Sequence, residues 1–380
     1  MAALAKKLPL SIDPFLLFLI GVVGTASLLP ARGSAADAVG LAADLAIALL
    51  FFLHGAKLSR EAIMRGAGNW RLHVMVLGST YILFPALGLL IVALTAGWVD
   101  PLLLSGLLYL TLLPSTVQSS IAFTAIAGGN VAAAVCSASL SNLLGIFLTP
   151  ILVGLLMHIG GDGAVSSWHL IRGIALQLLV PFIAGHLLRP LIGGFIDSHK
   201  TILQKVDRGS ILLVVYSAFS AAVVRGIWTQ VGVGDLLVLL LLSAMLLALV
   251  MGFNFLIARL AGLPREDAIV LLFCGSKKSL VSGVPMAGAL FPAAQVGIVI
   301  LPLMIFHQLQ LFLCAALASR FQRQGERLAR AGVIPRSEAD ITAAGAAVGL
   351  PITDACMPGV VANLALLDRH AATLKGGTPS

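Results

Sequence analysis

The stretch Leu271-Leu272-Phe273-Cys274-Gly275-Ser276-Lys277-Lys278-Ser279-Leu280-Val281-Ser282-Gly283-Val284-Pro285 sets two adjacent lysines inside an apolar segment. They are the only basic residues in the chain that do not fall in a loop, a tail or the end of an apolar run. Counted from the charged start at Arg265-Glu266-Asp267 at about 1.5 Å per residue, Lys277 lies roughly 15–18 Å into a hydrocarbon slab about 30 Å thick. Ionisable groups at that depth are costly, and they face protein or water and mark functional sites. Gly275, Gly283 and Pro285 flank the pair, so the helix is expected to open there, which is tolerated only where it lines a cavity or is covered by protein. Snorkelling to a surface is the plain alternative. Both interfaces lie about ten residues away, beyond a lysine stem.

Composition agrees with a membrane setting. Of the 380 residues, 59% are hydrophobic and 11% charged, against about a quarter charged in soluble domains. The chain reads as an all-α polytopic membrane protein. Its net charge of +8 sits in short loops between apolar runs, which is the pattern of membrane orientation and not of a nucleic-acid face. Met1 to Leu10 lead straight into an apolar run, so no cleavable signal is expected. Cys136, Cys274, Cys314 and Cys356 form no disulfide or metal pattern.

Ten runs are long enough to span: Pro14 to Pro30, Ala36 to Ala56, Arg71 to Ala96, Pro101 to Ala127, Val131 to His158, Trp168 to Leu188, Gly209 to Trp228, Asp235 to Ala261, Ala268 to Leu290 and Ala293 to Ser319. With a cytoplasmic N-terminus, Lys6, Lys7, Lys57, Arg60, Arg65, Arg71, Arg189, Lys200, Lys205, Arg208, Arg259, Arg265 and the arginines from Arg320 onward fall inside, leaving Arg32, Arg172 and Arg225 outside. Both termini are therefore expected in the cytoplasm. Five spans plus five give halves of opposite orientation, and both fourth and ninth spans carry a polar interruption near the midplane: Leu113-Pro114-Ser115-Thr116-Val117-Gln118-Ser119-Ser120 and Gly275-Ser276-Lys277-Lys278-Ser279. Each break frees backbone carbonyls and exposes a half-helix N-terminus that favours anions. Ser141 and Asn142 in the fifth span, and His307, Gln308 and Gln310 in the tenth, add polar groups at similar depth. The candidate substrate or ion site is Ser115, Thr116, Gln118, Ser119, Ser120, Asn142, Lys277, Lys278, Ser279, His307 and Gln308, with interhelical packing as the plain alternative for the hydroxyl cluster.

These features, with Gly129-Asn130-Val131-Ala132-Ala133 opening the fifth span and Leu148-Thr149-Pro150 near its end, resemble the bile acid:sodium symporter family over about residues 10–319. Longer strings, Gln177 through Pro190, Val206-Asp207-Arg208-Gly209-Ser210 and Lys277 through Pro285, are similar to a subgroup of symporters of unassigned substrate. The resemblance implies two inverted five-helix repeats whose broken fourth and ninth helices cross. It also implies a core domain (71–158 and 235–319) and a panel domain (14–56 and 168–228), with a small organic anion bound between them in a bacterial-style inner membrane.

Sodium-coupled members carry a glutamate that falls near Phe273 or Cys274 here, a glutamine that falls on Thr80, fifth-helix hydroxyls that fall near Ala134 and Ala138, and a Ser-Asn pair that falls on Ser119 and Ser120. Sodium wants several oxygens and usually a carboxylate, and a lysine pair would repel it. No acidic residue lies in the expected core spans, and only Asp44 is clearly intramembrane. Sodium coupling therefore does not follow from the resemblance. Either a lysine ammonium stands where the cation would, with Lys278 the choice for the crossing, or one lysine carries a proton. Sodium or a proton is the coupling ion to be decided between, and no other cofactor is expected.

Beyond Arg320 the tail, 320–380, turns polar, with short helices expected over Ala339 to Leu350 and Pro358 to Leu374 around a Gly349-Leu350-Pro351 break. Gly349 to Asp354 with Pro358 to Leu364 resembles the small GatC-like subunits that accompany amidases, which implies a soluble amidase-type partner; an inert fused remnant is the equal alternative. His54, His186 and His307 lack a second ligand at helical spacing, so neither a metal site nor an acid–base pair is expected. A Ser-Lys pair near Lys277 lacks an oxyanion hole, so the chain is not read as an enzyme. A non-transporting membrane regulator with the same fold is the rival of a transporter.

Overall fold

A computed structural model describes residues 14–57, 69–157, 175–331, 337–347, 350 and 352–374. Among these residues the regular elements are helices and no β-strand is present. They are α1 (Pro14–Leu28), α2 (Ser34–Lys57), α3 (Trp70–Thr95), α4 (Pro101–Thr111), α5 (Gln118–Ile126), α6 (Val131–Leu156), α7 (Val180–Ser198, after a π turn at Ala175–Leu179), α8 (Lys200–Val224), α9 (Val233–Leu260), α10 (Arg265–Gly275), α11 (Leu280–Leu290) and α12 (Ala293–Ala331). A second compact unit begins at Arg320 and holds α13 (Glu338–Ala347) and α14 (Met357–Leu374). Both expected tail helices lie close to these bounds, while Gly349 and Pro351 of the expected break fall outside the described residues.

Eight helices among the described residues are long and apolar enough to cross a bilayer, counting α10 and α11 together. The least apolar of the eight, Arg265–Leu290, is 94% buried, so protein and not lipid surrounds it. The α9 segment, the most apolar, keeps only a third of its window buried and presents Leu237, Leu241, Phe253 and Leu256 outward, as a helix against acyl chains does.

Short polar residues start the helices. Asp100 accepts from the Leu102 and Leu103 amides at the head of α4 (2.8 and 3.3 Å), Asn130 from Ala133 at α6 (3.0 Å), and Asn69 from Leu72 at α3 (3.4 Å). Each satisfies amides that no turn of the helix can reach. Asp267, in the first turn of α10, accepts from the side chains of Asn69 (2.8 Å) and Asn130 (3.0 Å). Three helix starts are thereby tied to one carboxylate. Below that knot, Leu72, Val76, Ala134, Ala138, Val270, Leu271 and Cys274 pack α3, α6 and α10 together.

Three boundaries differ from expectation. The sixth run was expected to end at Leu188 and the seventh to begin at Gly209, yet α7 continues to Ser198 and α8 starts at Lys200. The extension is amphipathic: Ile196 and Leu203 pack on Leu53 and Ala56, while the Arg189 guanidinium donates to the Ala56 carbonyl. Likewise α12 runs past Ser319 to Ala331, because no helix-breaking residue stops it at the expected membrane surface. Expected span residues His158 and 168–174 lie outside the described residues.

Helices α2 and α7 approach through glycine. A Cβ on Gly55 would stand 2.0 Å from the Phe182 carbonyl oxygen, and one on Gly185 would stand 2.0 Å from that of Phe52. Neither backbone can yield locally, since each carbonyl belongs to a helix. Gly185→Ala is therefore expected to destabilise the protein by about 1–3 kcal/mol or more, lowering its thermal midpoint in detergent, whereas Gly194→Ala, where a Cβ meets nothing within 4 Å, should leave it unchanged. Equal midpoints for the two variants would disprove the close crossing.

Candidate functional site

The site begins with backbone groups that helix breaks leave without partners. In α3, Pro85 has no N–H, and the preceding π turn (Ser79–Leu83) spends the Phe84 amide on Ser79. The Thr80 carbonyl is thus left over. At the end of α4, Pro114 likewise cannot donate, so Thr111 through Ser115 expose a row of carbonyls. In a dry interior each must be matched.

Each of them is matched. The Lys278 ammonium donates to the carbonyls of Thr80 (2.8 Å), Thr111 (2.8 Å) and Leu113 (2.7 Å). Thr149 Oγ1 covers Leu112 (2.8 Å), the Ser279 amide covers Pro114 (2.9 Å), and Asn142 Nδ2 covers Ser115 (2.6 Å). At the second break the hydroxyls of Ser276, Ser120, Ser115 and Ser79 donate to the carbonyls of Leu272, Phe273, Cys274 and Gly275 in turn. Gln310 holds Lys278 from α12, accepting from its amide (2.8 Å) and donating to its carbonyl (2.9 Å). The two breaks face each other and share these bonds.

The lysines are unequal. Lys278 is fully buried with all three protons on carbonyls, and its nitrogen sits 4.2 Å from the centre of the Phe84 ring. Lys277 is equally buried but has no hydrogen-bond partner among the described residues; its nitrogen lies over Phe123 (4.1 Å) and Phe273 (5.5 Å).

A cavity of about 560 Å³ opens beside the crossing. One side is built from Thr116, Gln118 and Ser119 at the start of α5, Asn142, Ser279 and Ser282 at the start of α11, and His307. Ser282 donates to Asn142 Oδ1 (2.8 Å), and Ser279 caps α11 by accepting from the Ser282 amide (3.1 Å). The facing wall comes from α2, α7 and α8, with Phe51 and Phe182 among its apolar groups and His54, Lys57, Arg189, Lys200, Asp207 and Arg208 among its polar ones.

Of the sequence-selected residues, Thr116, Gln118, Ser119, Asn142, Ser279 and His307 line the cavity, while Ser115, Ser120 and Lys278 knit the crossing behind it. Lys277 does not line the cavity; its ammonium lies over the Phe123 and Phe273 rings. Gln308 is not brought into the cluster. It stands two positions before Gln310, about 200° around the helix, and Gln310 is the one that reaches Lys278 and His307. The spacing of His307 and Gln310, three apart and so on one face, was the available signal. Sequence reading notes Thr80 only as the place of an absent glutamine, whereas it matters through its carbonyl and not its side chain, and it passes over the charged wall of α2, α7 and α8.

Replacing Lys278 by Met leaves three buried carbonyls without donors, each at about 1–3 kcal/mol. The thermal midpoint is expected to fall steeply, and Lys278→Arg, wider and planar, should not restore it. Gln310→Leu should lower it as well, whereas Gln308→Leu should shift stability by no more than about 0.5 kcal/mol. Unfolding curves of purified variants decide; a Lys278→Met protein as stable as the parent would refute the assigned role.

The comparisons with known proteins match this same region. The family model described as SBF-like CPA transporter family covers residues 13–323. The Escherichia coli protein named "Putative symporter YfeH" is 56% identical over 317 residues, 83% of this chain and 95% of that one. "Uncharacterized protein PA2026" of Pseudomonas aeruginosa is 51% identical over 319 residues, 84% of this chain and 96% of that one. "Sodium/bile acid cotransporter 7" of mouse is 26% identical over 309 residues, 79% and 90%. The family match ends before most of the tail, and the likeness of that segment to amidase subunits gains no support from these relatives. Both broken helices and the cavity lie inside the match, the regulator reading gives way to transport, and the chain belongs to the SBF-like CPA transporter family, as a multi-pass membrane transporter of the bile acid:sodium symporter type and not an enzyme.

Proposed function

We propose that the protein is a secondary transporter of a small organic anion in which Lys278 occupies the place that sodium-coupled relatives give to a cation, so that binding at the crossing needs no sodium. The observation that carries this is the cavity wall at the two half-helix starts. It offers the heads of α5 and α11, Ser119, Asn142 and Ser282, and among the described residues no carboxylate. Helix N-termini and neutral side chains without an acid suit an anionic head group. A sodium ion would compete for carbonyls that the Lys278 ammonium already holds.

In this reading the ten apolar runs form two inverted five-helix repeats, with the pairs α4/α5 and α10/α11 as their broken helices. The core comprises 71–158 and 235–319, the panel 14–56 and 168–228. The panel helices that face the cavity, α2, α7 and α8, are packed on one another, which suits alternating access by rocking of one body against the other. The distribution of basic loops supports an inner-membrane protein with both termini in the cytoplasm. An amidase-type partner for the tail rests on the sequence resemblance alone, and co-purification of the full chain with a soluble amidase tests it.

A second reading concerns Lys277. Its ammonium is buried with no hydrogen-bond acceptor among the described residues, so it, and not Lys278, is the candidate for moving a proton. Lys277→Met should then flatten the pH profile of uptake while leaving anion binding intact; an unchanged profile removes Lys277 from the coupling route.

The main test is a thermal-shift screen of purified protein against anionic metabolites, in sodium and in a sodium-free organic-cation buffer, followed by uptake into proteoliposomes. Stabilisation by the same anions to the same degree in both buffers is expected. A hit that needs sodium would overturn the role given to Lys278.

A further inference from the structure

We infer that the cavity holds its ligand by two anionic ends, so that the transported class is a dianion with an apolar middle. This rests on the anion reading above and adds what lies at the other pole of the same cavity.

That pole is strongly basic. Lys57 on α2, Arg189 on α7, and Lys200 and Arg208 on α8 line it, against the carboxylates Asp197 and Asp207. Four cations facing two carboxylates leave two positive charges over. The acids are also engaged: Lys57 pairs with Asp207, and Lys200 with Asp197 at 3.2 Å. Arg189 is held by the Ala56 carbonyl, with Asp197 a further 3.7 Å from its second nitrogen. Arg208 has no carboxylate within ion-pair distance among the described residues and lies over the Phe15 ring, 5.8 Å from its centre.

Between the poles the wall is apolar apart from His54. Phe51 precedes Lys57 by six residues along α2, and Phe182 precedes Arg189 by seven along α7, roughly 9 and 10.5 Å. Ile211 follows Arg208 by one turn of α8. A ligand with one charge, seated on the half-helix starts, would leave two uncompensated cations at the basic pole. A ligand charged at both ends places one head on the half-helix starts and the other beside Arg208, with its hydrocarbon against Phe51, Phe182 and Ile211. The cavity volume of about 560 Å³ lies within the usual range for small-molecule sites. Arg208 is thereby a specificity-determining residue: it selects the second charge.

The test uses the full chain in zwitterionic phosphatidylcholine nanodiscs, which removes anionic headgroups as competitors for the basic pole. The probes are α,ω-alkanedioates from butanedioate to hexadecanedioate and, for each, its monomethyl ester, which keeps the length and removes one charge. At the preferred length the dianion is expected to bind about tenfold tighter than its ester. Arg208→Gln should bring the two within about threefold while the ester affinity stays as it was, and Asn142→Leu should weaken both. Equal affinities of diacid and ester in the parent protein would overturn the two-ended ligand and leave the anion reading standing. So would an Arg208→Gln variant that weakens both alike. If neither diacids nor esters bind at any length, the anion reading falls and this inference with it.

Discussion

Everything at the centre of this protein depends on one ammonium meeting three carbonyls. A helix broken inside a dry layer cannot leave its backbone oxygens bare. Pro85 frees Thr80, and Pro114 frees Thr111 and its successors. A lysine head has three protons and no acceptor of its own, and Lys278 points all three at those oxygens. Its stem lies in the core and its charge beside the face of Phe84. The expense of burying a cation is offset because the oxygens it meets would otherwise be unpaired, and because ring and carbonyls together replace its hydration.

The same logic explains why the crossing is crowded with serine and threonine. These side chains are small enough to sit between close helices, and each hydroxyl can donate once. Ser79, Ser115, Ser120 and Thr149 spend that donation on a freed carbonyl. What is left facing the cavity is then polar and free of carboxylates: helix starts, Ser119, and Asn142 at the junction of both breaks. The polarity of the binding surface follows from how the backbone was repaired behind it.

Lys277 shows that adjacency in sequence is not equivalence in the fold. It shares burial with its neighbour but meets two phenylalanine rings and two buried cysteines, Cys274 and Cys314, in place of carbonyls. One lysine builds the crossing, and the other is a buried charge held over aromatic rings, outside the cavity lining. On the opposite wall rigidity has a different origin: α2 and α7 touch backbone to backbone at Gly55 and Gly185, a contact made by shape alone.

Much of this was written in the chain. Apolar run lengths determine that the protein is helical and built for a bilayer, because only helices satisfy a backbone there over such lengths. Charge and proline inside two of those runs mark both breaks, and the lysine pair marks the site, because nothing else in the sequence makes an ammonium tolerable at that depth. What the sequence could not determine are contacts made by main-chain atoms, which every residue carries alike: that the Thr80 carbonyl is a ligand of Lys278, or that Phe182 and Phe52 offer their oxygens to glycines. Nor could it decide between Gln308 and Gln310, or assemble Lys57, Arg189, Asp207 and Arg208 into one wall. Those depend on how helices far apart in sequence are rotated against one another, and only their packing in three dimensions sets that angle.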